Sequence, residues 1–270
     1  LQKKTMIKNE NPEILEMSNA DYHAHDAISS SAVKAACKSM AHWKHADKVT
    51  SSTVFDLGTG FHDMTLEGGH NTVEGPEKRV GNAWKMLYKE CQENGKVLLT
   101  ADDYAKVKKM AASCLENERV NAIVNHPDVM IEKSFFVTDP KSGLRLKARP
   151  DAYLQEKQVC LDLKSTVDAA PGERGFQQQI FRYNYHIQAA FYKRVLELCG
   201  HPVTYFAFSA VEKTAPFAQC LHVLSGTVLK RAEEEMDNVL ARMAQAITEN
   251  HYPTDWPDLN MIHLPGYMEE

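Results

Sequence analysis

The spacing of apolar residues changes near residue 129 and divides the chain into two parts. Before that point, apolar residues recur at intervals of three and four, which is the period of a helix with one buried face. Ser29 to Ser31 offer a cap for the first of these helices, which we expect to run to about Lys48. Further helices are predicted over 54–67, 82–94, 101–118 and 120–125. Residues 1–20 are polar and weakly patterned, and we expect an N-terminal arm there.

From Val129 onwards, short runs in which apolar and polar residues alternate are followed by helical runs and by further strands. The predicted elements are, in order, strands over 129–138 and 144–148, two acidic strands on either side of a polar turn at 155–158, a helix over 176–198, strands over 203–211 and 217–224, and a helix over 225–249. This order predicts a single α/β domain over 21–270, with a mixed central sheet flanked by helices.

The two acidic strands carry the strongest chemical signal in the sequence. Asp151 begins one of them and Asp162 lies inside the other. Because side chains alternate along a strand, Asp162 and Lys164 point to one face, whereas Leu161 and Leu163 point to the other. If the turn closes a hairpin, Asp151 comes near Asp162. Two carboxylates then suit a hard divalent cation, and the lysine is suited to orienting or deprotonating a water.

These residues also carry a resemblance to a known group of proteins. Pro150-Asp151 followed by Asp162-Leu163-Lys164 resembles the PD-(D/E)xK nuclease signature, with aspartate in the variable acidic position. Gln188 and Tyr192 match the QxxxY element of the RecB-like branch of that superfamily, and His62 resembles its helical histidine motif. Any one of these strings is short, but all of them occur in the order that the family shows.

The run Ile28-Ser29-Ser30-Ser31-Ala32-Val33-Lys34 is similar to the N-terminal segment of such nucleases. From about Met17 onwards, the chain resembles nuclease domains of the exonuclease VIII (RecE) type. The resemblance implies an αβββαβ PD-(D/E)xK core with a helical N-terminal addition. It further implies an exodeoxyribonuclease that digests linear double-stranded DNA 5′-to-3′ and leaves 3′ tails for recombination. The implied partners are double-stranded DNA ends, a single-strand annealing protein and three further copies of the chain in a ring-shaped homotetramer.

The resemblance also implies a role for each residue of the motifs. His62, Asp151, Asp162 and the main-chain carbonyl of Leu163 would hold Mg²⁺, for which Mn²⁺ can substitute. The ion would polarise the phosphodiester and lower the pKa of a bound water. Lys164 would position or deprotonate that water.

Two of these assignments have a plain structural alternative. Gln188 and Tyr192 are four residues apart and share a helix face. This face could be a solvated stripe. The resemblance favours a wall of the active site, which contacts the nucleic-acid backbone or orients the catalytic strand. A histidine beside apolar helix residues, such as His62, is usually structural. The downstream carboxylates and the resemblance favour a metal ligand instead. Glu67, further along the helix, is a weaker candidate for the same cluster.

Three other polar groups are open to two interpretations. His23 and His25 form an HxH pair, for which a surface loop is favoured over a metal site because no further ligand is paired with them. Lys147 and Arg149 flank the acidic strands and are equally consistent with contacts to the scissile phosphate and with solvated strand charges. Ser29–Ser31 form a helix cap, and the resemblance also allows a contact to DNA phosphate.

Two other functions are compatible with the motifs. The first is a PD-(D/E)xK nuclease with another substrate, such as a single-strand nuclease with an iron–sulfur cluster. That cluster needs four grouped cysteines, whereas the six cysteines here are dispersed. The second is a DNA-binding scaffold that has lost its chemistry, against which the intact Asp151, Asp162 and Lys164 argue.

Composition narrows the class of protein without choosing a function. The chain has 270 residues, of which 43% are hydrophobic, so it can bury a large core. A net charge of −5 shows no global basic character, although local lysines and arginines can still line one groove. No apolar run approaches the roughly 20 residues that cross a bilayer, and no secretion signal is evident. We therefore expect a cytoplasmic protein with reduced thiols; the missing initiator methionine suggests a fragment.

Overall fold

The computed structural model describes residues 12–46 and 53–262. The helices are α1 (Asn19–Ala24), α2 (Ser30–Lys38), α3 (Met40–Lys44), α4 (Thr53–Leu66), α5 (Gly81–Glu93), α6 (Ala101–Glu116), α7 (Glu118–Val124), α8 (Phe176–Arg182), α9 (Tyr185–Leu198) and α10 (Gly226–Glu249). The strands are β1 (Glu13–Leu15), β2 (Thr72–Glu74), β3 (Val97–Leu99), β4 (Val129–Ile131), β5 (Ser134–Thr138), β6 (Arg145–Ala148), β7 (Ala152–Leu154), β8 (Val159–Thr166), β9 (Tyr205–Glu212) and β10 (Gln219–Val223).

The central sheet has five strands in the order β10-β9-β8-β7-β4. Its strands pair antiparallel except for β8 and β9, which are parallel. A parallel pair needs a crossover connection, and α8 and α9 supply it between β8 and β9. The sheet is therefore mixed, and the predicted α/β architecture is confirmed.

Both faces of the central sheet are covered by helices because β8 and β9 are apolar on both sides. On one face, a core cluster combines Cys160 and Phe208 with residues of α2, α9 and α10. On the other face, Leu161 and Leu163 pack with residues of α4, α6 and α7. The alternation predicted for the second acidic strand is thus present in β8, with Asp162 on the α9 side.

The strands predicted over 129–148 do not form a continuous meander with the acidic strands. The chain bends between β4 and β5, where Glu132 has a φ of 45°, and again between β6 and β7 at Arg149-Pro150, where proline cannot donate a ladder hydrogen bond. As a result, β5 and β6 leave the central sheet and form a second, three-stranded sheet with β1. Strand β1 lies within the segment predicted as an arm and pairs with β5; residues 1–11 lie outside the described part.

Two predicted helices are each divided in two. The helix expected over 29–48 ends at Lys38, because Ser39 adopts an extended conformation and then caps α3 by accepting from His42 N. Its last two residues, 47 and 48, lie outside the described ranges. The helix expected over 176–198 is interrupted by Asn184, which has a φ of 54°. The predicted cap of α2 is present, since Ser29 Oγ accepts from Ala32 N at 3.3 Å.

Across residues 12–46 and 53–262, none of the helices combines the length with the apolar character needed to span a bilayer.

Candidate metal and nucleic-acid site

Asp151 and Asp162 meet across the hairpin formed by β7 and β8. The register pairs Ala152 with Leu161, which places Asp151 directly opposite Asp162. Asp151 Oδ2 accepts a hydrogen bond of 2.5 Å from Leu163 N, so the carboxylate is fixed to the neighbouring strand. Both carboxylates are buried, and only 3% of Asp162 is exposed. The structure therefore brings these two predicted residues together beside the main chain of Leu163.

Lys164 forms a buried ion pair with Asp162. Its Nζ lies 2.5 Å from Asp162 Oδ2 and 4.5 Å from the centroid of the Tyr185 ring. Burial opposes the charged lysine, but the charges of Asp162 and Asp151 outweigh burial and raise the pKa of Lys164. Burial and the charge of Asp151 also raise the pKa of Asp162, against the effect of Lys164. Lys164 is accordingly an ammonium group at neutral pH and acts as a hydrogen-bond donor in this arrangement.

Gln188 connects the carboxylate to the lysine from α9. Its Nε2 donates to Asp162 Oδ1 at 2.7 Å, and its Oε1 lies 3.3 Å from Lys164 Nζ. With 4% of its surface exposed, Gln188 does not belong to a solvated stripe. Tyr192, one turn further along α9, is also buried, and its hydroxyl forms a hydrogen bond with the Ser30 side chain. Burial and, to a smaller extent, the nearby charges of Asp162 and Asp151 raise the pKa of Tyr192.

His62 reaches the same site from α4, on the opposite side of the sheet from α9. Its Nδ1 lies 3.3 Å from Asp151 Oδ1. Burial alone would lower its pKa, but the Asp151 carboxylate raises the pKa of His62 to about 9. The charge of His62 in turn outweighs burial and keeps the pKa of Asp151 below its usual value.

A glycine in α4 allows this helix to lie close to its neighbours. A Cβ at Gly60 would lie 2.9 Å from Leu99 Cδ1 and 3.3 Å from Thr72 Cγ2. A larger residue would fit only if the side chains of Leu99 and Thr72 shifted. Since His62 follows two residues later, this close approach helps to set the position of its ring beside Asp151.

Glu132 and Lys34 also belong to the site, although the sequence did not single them out. Glu132 lies at the bend between β4 and β5, and its N–H donates to Asp151 O at 3.2 Å. Burial, followed by the charge of Asp151, raises the pKa of Glu132. Lys34 projects from α2, with its Nζ 3.1 Å from Gln188 Oε1. Burial, followed by the charge of Lys164, lowers the pKa of Lys34 to about 8.

Lys147 and Arg149 are committed to structural contacts. Lys147 is 4% exposed, and its Nζ donates to the carbonyls of Tyr22 and His25. Arg149 donates to Ser134 Oγ and, at 2.9 Å, to the carbonyl of Met17. These contacts fasten the segment around α1 to the second sheet. A contact of the two cations with the scissile phosphate stays a prediction.

The remaining candidates for metal ligands also have ordinary partners. A surface loop is predicted for His23 and His25, but His23 lies in the short helix α1. His25 follows it, accepts from Ala27 N and packs against the ring of Phe136. Glu67 is exposed and accepts a hydrogen bond from the Asn71 side chain.

The donor set at Asp151 and Asp162 fits a hard divalent cation in its chemistry. Asp162 Oδ2 is buried and, in the described part of the chain, makes no hydrogen bond beyond its ion pair with Lys164. Carboxylate oxygens are ligands that suit Mg²⁺ and Mn²⁺, and a neutral imidazole at His62 can complete the coordination of a divalent ion. Among the described residues, however, no three His, Cys, Asp or Glu side chains form a ready-made cation site. An entering ion would therefore take the place of the contact between His62 and Asp151.

Comparisons with known proteins identify relatives of the whole fold. A crystal structure of a "putative exonuclease" from Eubacterium rectale matches with a TM-score of 0.62 and 13% identity, and covers 87% of this chain and 88% of that chain. At that identity the similarity shows the fold. A second structure, of SSO0001, matches with a TM-score of 0.32 and 12% identity over 74% of this chain and 87% of that chain, which is too distant to support an argument. No curated protein matches the chain. The family model described as a PDDEXK-like domain of unknown function (DUF3799) matches residues 28–262, and the chain therefore belongs to that family.

Proposed function

We propose that this chain is a divalent-metal-dependent nuclease that hydrolyses phosphodiester bonds at the ends of linear double-stranded DNA. The observation that carries the proposal is the position of Asp151 opposite Asp162, with Lys164 in contact with Asp162. Two buried carboxylates beside an ammonium group are costly to desolvate. A divalent cation would balance the charge of the carboxylates, and a phosphate would balance the charge of the ammonium group.

Each side chain has a distinct task in this reaction. Asp151 and Asp162 hold the cation together with His62, and the Leu163 carbonyl is the further ligand that the motif implies. When bound, Mg²⁺ or Mn²⁺ supplies a Lewis acid that acidifies water and stabilises the charge on the phosphoryl oxygens. Lys164 donates to the attacking water or to a phosphoryl oxygen.

Gln188 orients the side chains of Asp162 and Lys164. It donates to Asp162 Oδ1, while Asp162 Oδ2 faces the Lys164 ammonium group at 2.5 Å. It also accepts from Lys164, so that one amide holds the relative positions of the acidic and the basic group. Tyr192 packs against the segment at the start of α2 and supports the placement of that helix beside the site.

The finer features of the proposed activity rest on the resemblance to exonuclease VIII (RecE). They are digestion in the 5′-to-3′ direction, 3′ single-stranded tails as product, a ring-shaped homotetramer and cooperation with a single-strand annealing protein. A cytoplasmic location fits a role in recombination. A nuclease with another nucleic-acid substrate and a DNA-binding scaffold without activity remain the two rival functions.

One plasmid experiment separates these three functions. The protein is incubated with linearised plasmid, covalently closed plasmid and single-stranded circles, with Mg²⁺ or with a chelator. We expect loss of the linear duplex alone, only with Mg²⁺, and no loss with Asp162→Asn. Release of label from the 5′ end before the 3′ end tests the direction. Cleavage of circles would indicate another nuclease, and binding of DNA without cleavage would indicate a scaffold.

A further inference from the structure

Lys34 and Lys164 approach the same two groups from different elements of the fold. Lys34 Nζ lies 3.1 Å from Gln188 Oε1, and Lys164 Nζ lies 3.3 Å from the same oxygen. The two ammonium groups also lie 5.3 Å and 4.5 Å from the centroid of the Tyr185 ring. The site therefore contains two cations at one amide oxygen, and of the two only Lys164 belongs to the PD-(D/E)xK signature.

The position of Lys34 is set by the way in which α2 begins. Ile28 forms a bridge with Leu146 of β6: its N–H donates to Arg145 O, and its carbonyl accepts from Lys147 N. Ser29 then caps the helix. This attachment directs the Lys34 side chain, slightly more than one turn into α2, towards α9.

Unlike Lys164, Lys34 is not paired with any carboxylate of residues 12–46 and 53–262. In the part of the chain that the structure describes, no carboxylate oxygen lies within 4 Å of Lys34 Nζ. Asp162 is engaged by Lys164 through Oδ2 and by Gln188 through Oδ1. A partly buried cation without an anion is unfavourable, and the lowered pKa of Lys34 agrees with that cost.

The positive charge that remains at the site when a cation is bound indicates which anion would bind there. Asp151 and Asp162 together balance one divalent cation, and Glu132 is a further carboxylate close to Asp151. With the cation bound, the ammonium groups of Lys34 and Lys164 together still exceed that remaining negative charge by one. A nucleic-acid strand brings a row of phosphates spaced along its backbone. With one phosphate at the cation and Lys164, the neighbouring phosphate is the nearest anion available to Lys34 on the α2 side of Gln188.

We infer that Lys34 binds a phosphate of the strand being cut, next to the scissile phosphate, and so extends the substrate site from β8 to α2. The inference rests on the proposed function, since it assumes a nucleic-acid substrate. The other explanation for Lys34 is purely internal: it would only hold the Gln188 amide in the orientation that donates to Asp162. The two explanations differ in their effect on the salt dependence of DNA binding.

The test measures binding of a short DNA duplex with Ca²⁺ in place of Mg²⁺, over a range of salt concentrations. The proteins are the wild type, Lys34→Gln, Lys34→Arg and, as a matched control, Lys230→Gln, which removes the same charge from an exposed position on α10. For Lys34→Gln we expect a slope of log Kd against log salt that is smaller by about 0.9, the value for one phosphate contact on a duplex. We also expect an affinity lower by about tenfold at low salt.

The controls decide between the explanations. Lys34→Arg keeps the charge and should keep the slope, and Lys230→Gln should bind as the wild type does. If Lys34→Gln retains the wild-type slope and Kd while kcat falls, the residue acts only through Gln188 and the inference is wrong. If the wild type neither binds nor cleaves DNA, the proposed function itself fails, and that result is visible before any variant is compared. Thermal melting of each variant verifies that it is folded.

Discussion

The side-chain amide of Gln188 donates a 2.7 Å hydrogen bond to Asp162 Oδ1, and this contact ties α9 to the central strand of the sheet. The amide oxygen of the same residue accepts from two lysines. Because two ammonium groups face the oxygen, the amide cannot rotate by half a turn without placing its NH₂ group against them. The lysines therefore determine which end of Gln188 faces the carboxylate.

We expect Gln188→Ala to lower kcat without loss of the fold. The substitution removes a hydrogen bond to a charged group, which contributes about 1.5–3 kcal/mol, and a loss of that size in the transition state is about 10- to 100-fold in rate. Steady-state cleavage of linear duplex DNA gives kcat, and circular dichroism gives the fold. Gln178→Ala, in the exposed part of α8, is the control. An unchanged kcat would show that Gln188 has no part in positioning Asp162.

Removal of Lys164 should destabilise the metal-free protein more than the metal-bound protein. Lys164→Ala leaves Asp162 as a buried charge without its partner, which typically costs about 3–5 kcal/mol. A divalent cation bound to Asp162 would replace the lost positive charge. Urea denaturation with and without Mn²⁺ measures both free energies of unfolding. We expect the free energies of unfolding of wild type and variant to differ less with Mn²⁺ than without it.

The control for this experiment is an exposed pair. Lys89 lies 3.8 Å from Glu93 on the surface of α5, and Lys89→Ala should change the free energy of unfolding by no more than about 1 kcal/mol, with or without the ion. If Mn²⁺ stabilises Lys164→Ala and the wild type by the same amount, the ion does not bind next to Asp162.

The local pattern of the sequence was sufficient to predict the two acidic strands and the face on which their charges lie. A strand has a period of two, so Asp162 and Lys164 had to share one face, and a short hairpin turn had to bring Asp151 alongside. The mixed sheet followed from the order of strands and helices. The acidic hairpin depends only on residues that are close together in the sequence, and the mixed sheet depends on the order of the elements.

The features that the sequence did not predict depend on contacts between distant segments. Lys147 has the pattern of a solvated strand charge, yet α1 covers it and supplies the carbonyls to which it donates. Lys34 follows ordinary helix spacing, and only the packing of α2 against α9 brings it to Gln188. The bend at Glu132 requires a φ of 45° that no glycine or asparagine signals.

Glu132 is expected to strengthen cation binding through its charge. Burial and, after it, the charge of the nearby Asp151 raise the pKa of Glu132. The ionised Glu132 carboxylate therefore increases the negative potential at the site. Glu132→Gln keeps the shape and removes the charge, and residues around metal ligands typically change affinity by about tenfold or more. Titration calorimetry with Mn²⁺ measures the affinity. Glu90→Gln, on the exposed face of α5, should bind as the wild type does, and equal affinity of both variants would exclude this role.

His62 should make the stability of the metal-free protein depend on pH. Its pKa is about 9 in the folded protein and about 6.5 when unfolded. Because the folded pKa is the higher one, the ion pair with Asp151 contributes fully below about pH 6.5, and the contribution is lost as the pH rises through about 9. The free energy of unfolding should therefore fall across this range, by at most about 3.4 kcal/mol from this residue. Urea denaturation of wild type and His62→Gln at several pH values isolates the effect.

The same measurement with saturating Mn²⁺ tests the proposed ligand role of His62. Metal ligands must be deprotonated, so a bound ion holds the imidazole neutral at every pH at which it binds. The difference in pH dependence between wild type and His62→Gln should then disappear, and Mn²⁺ affinity in the wild type should rise with pH up to about 9. If the free energy of unfolding of the wild type still falls with pH when Mn²⁺ is bound, the imidazole remains paired with Asp151 and does not coordinate the ion.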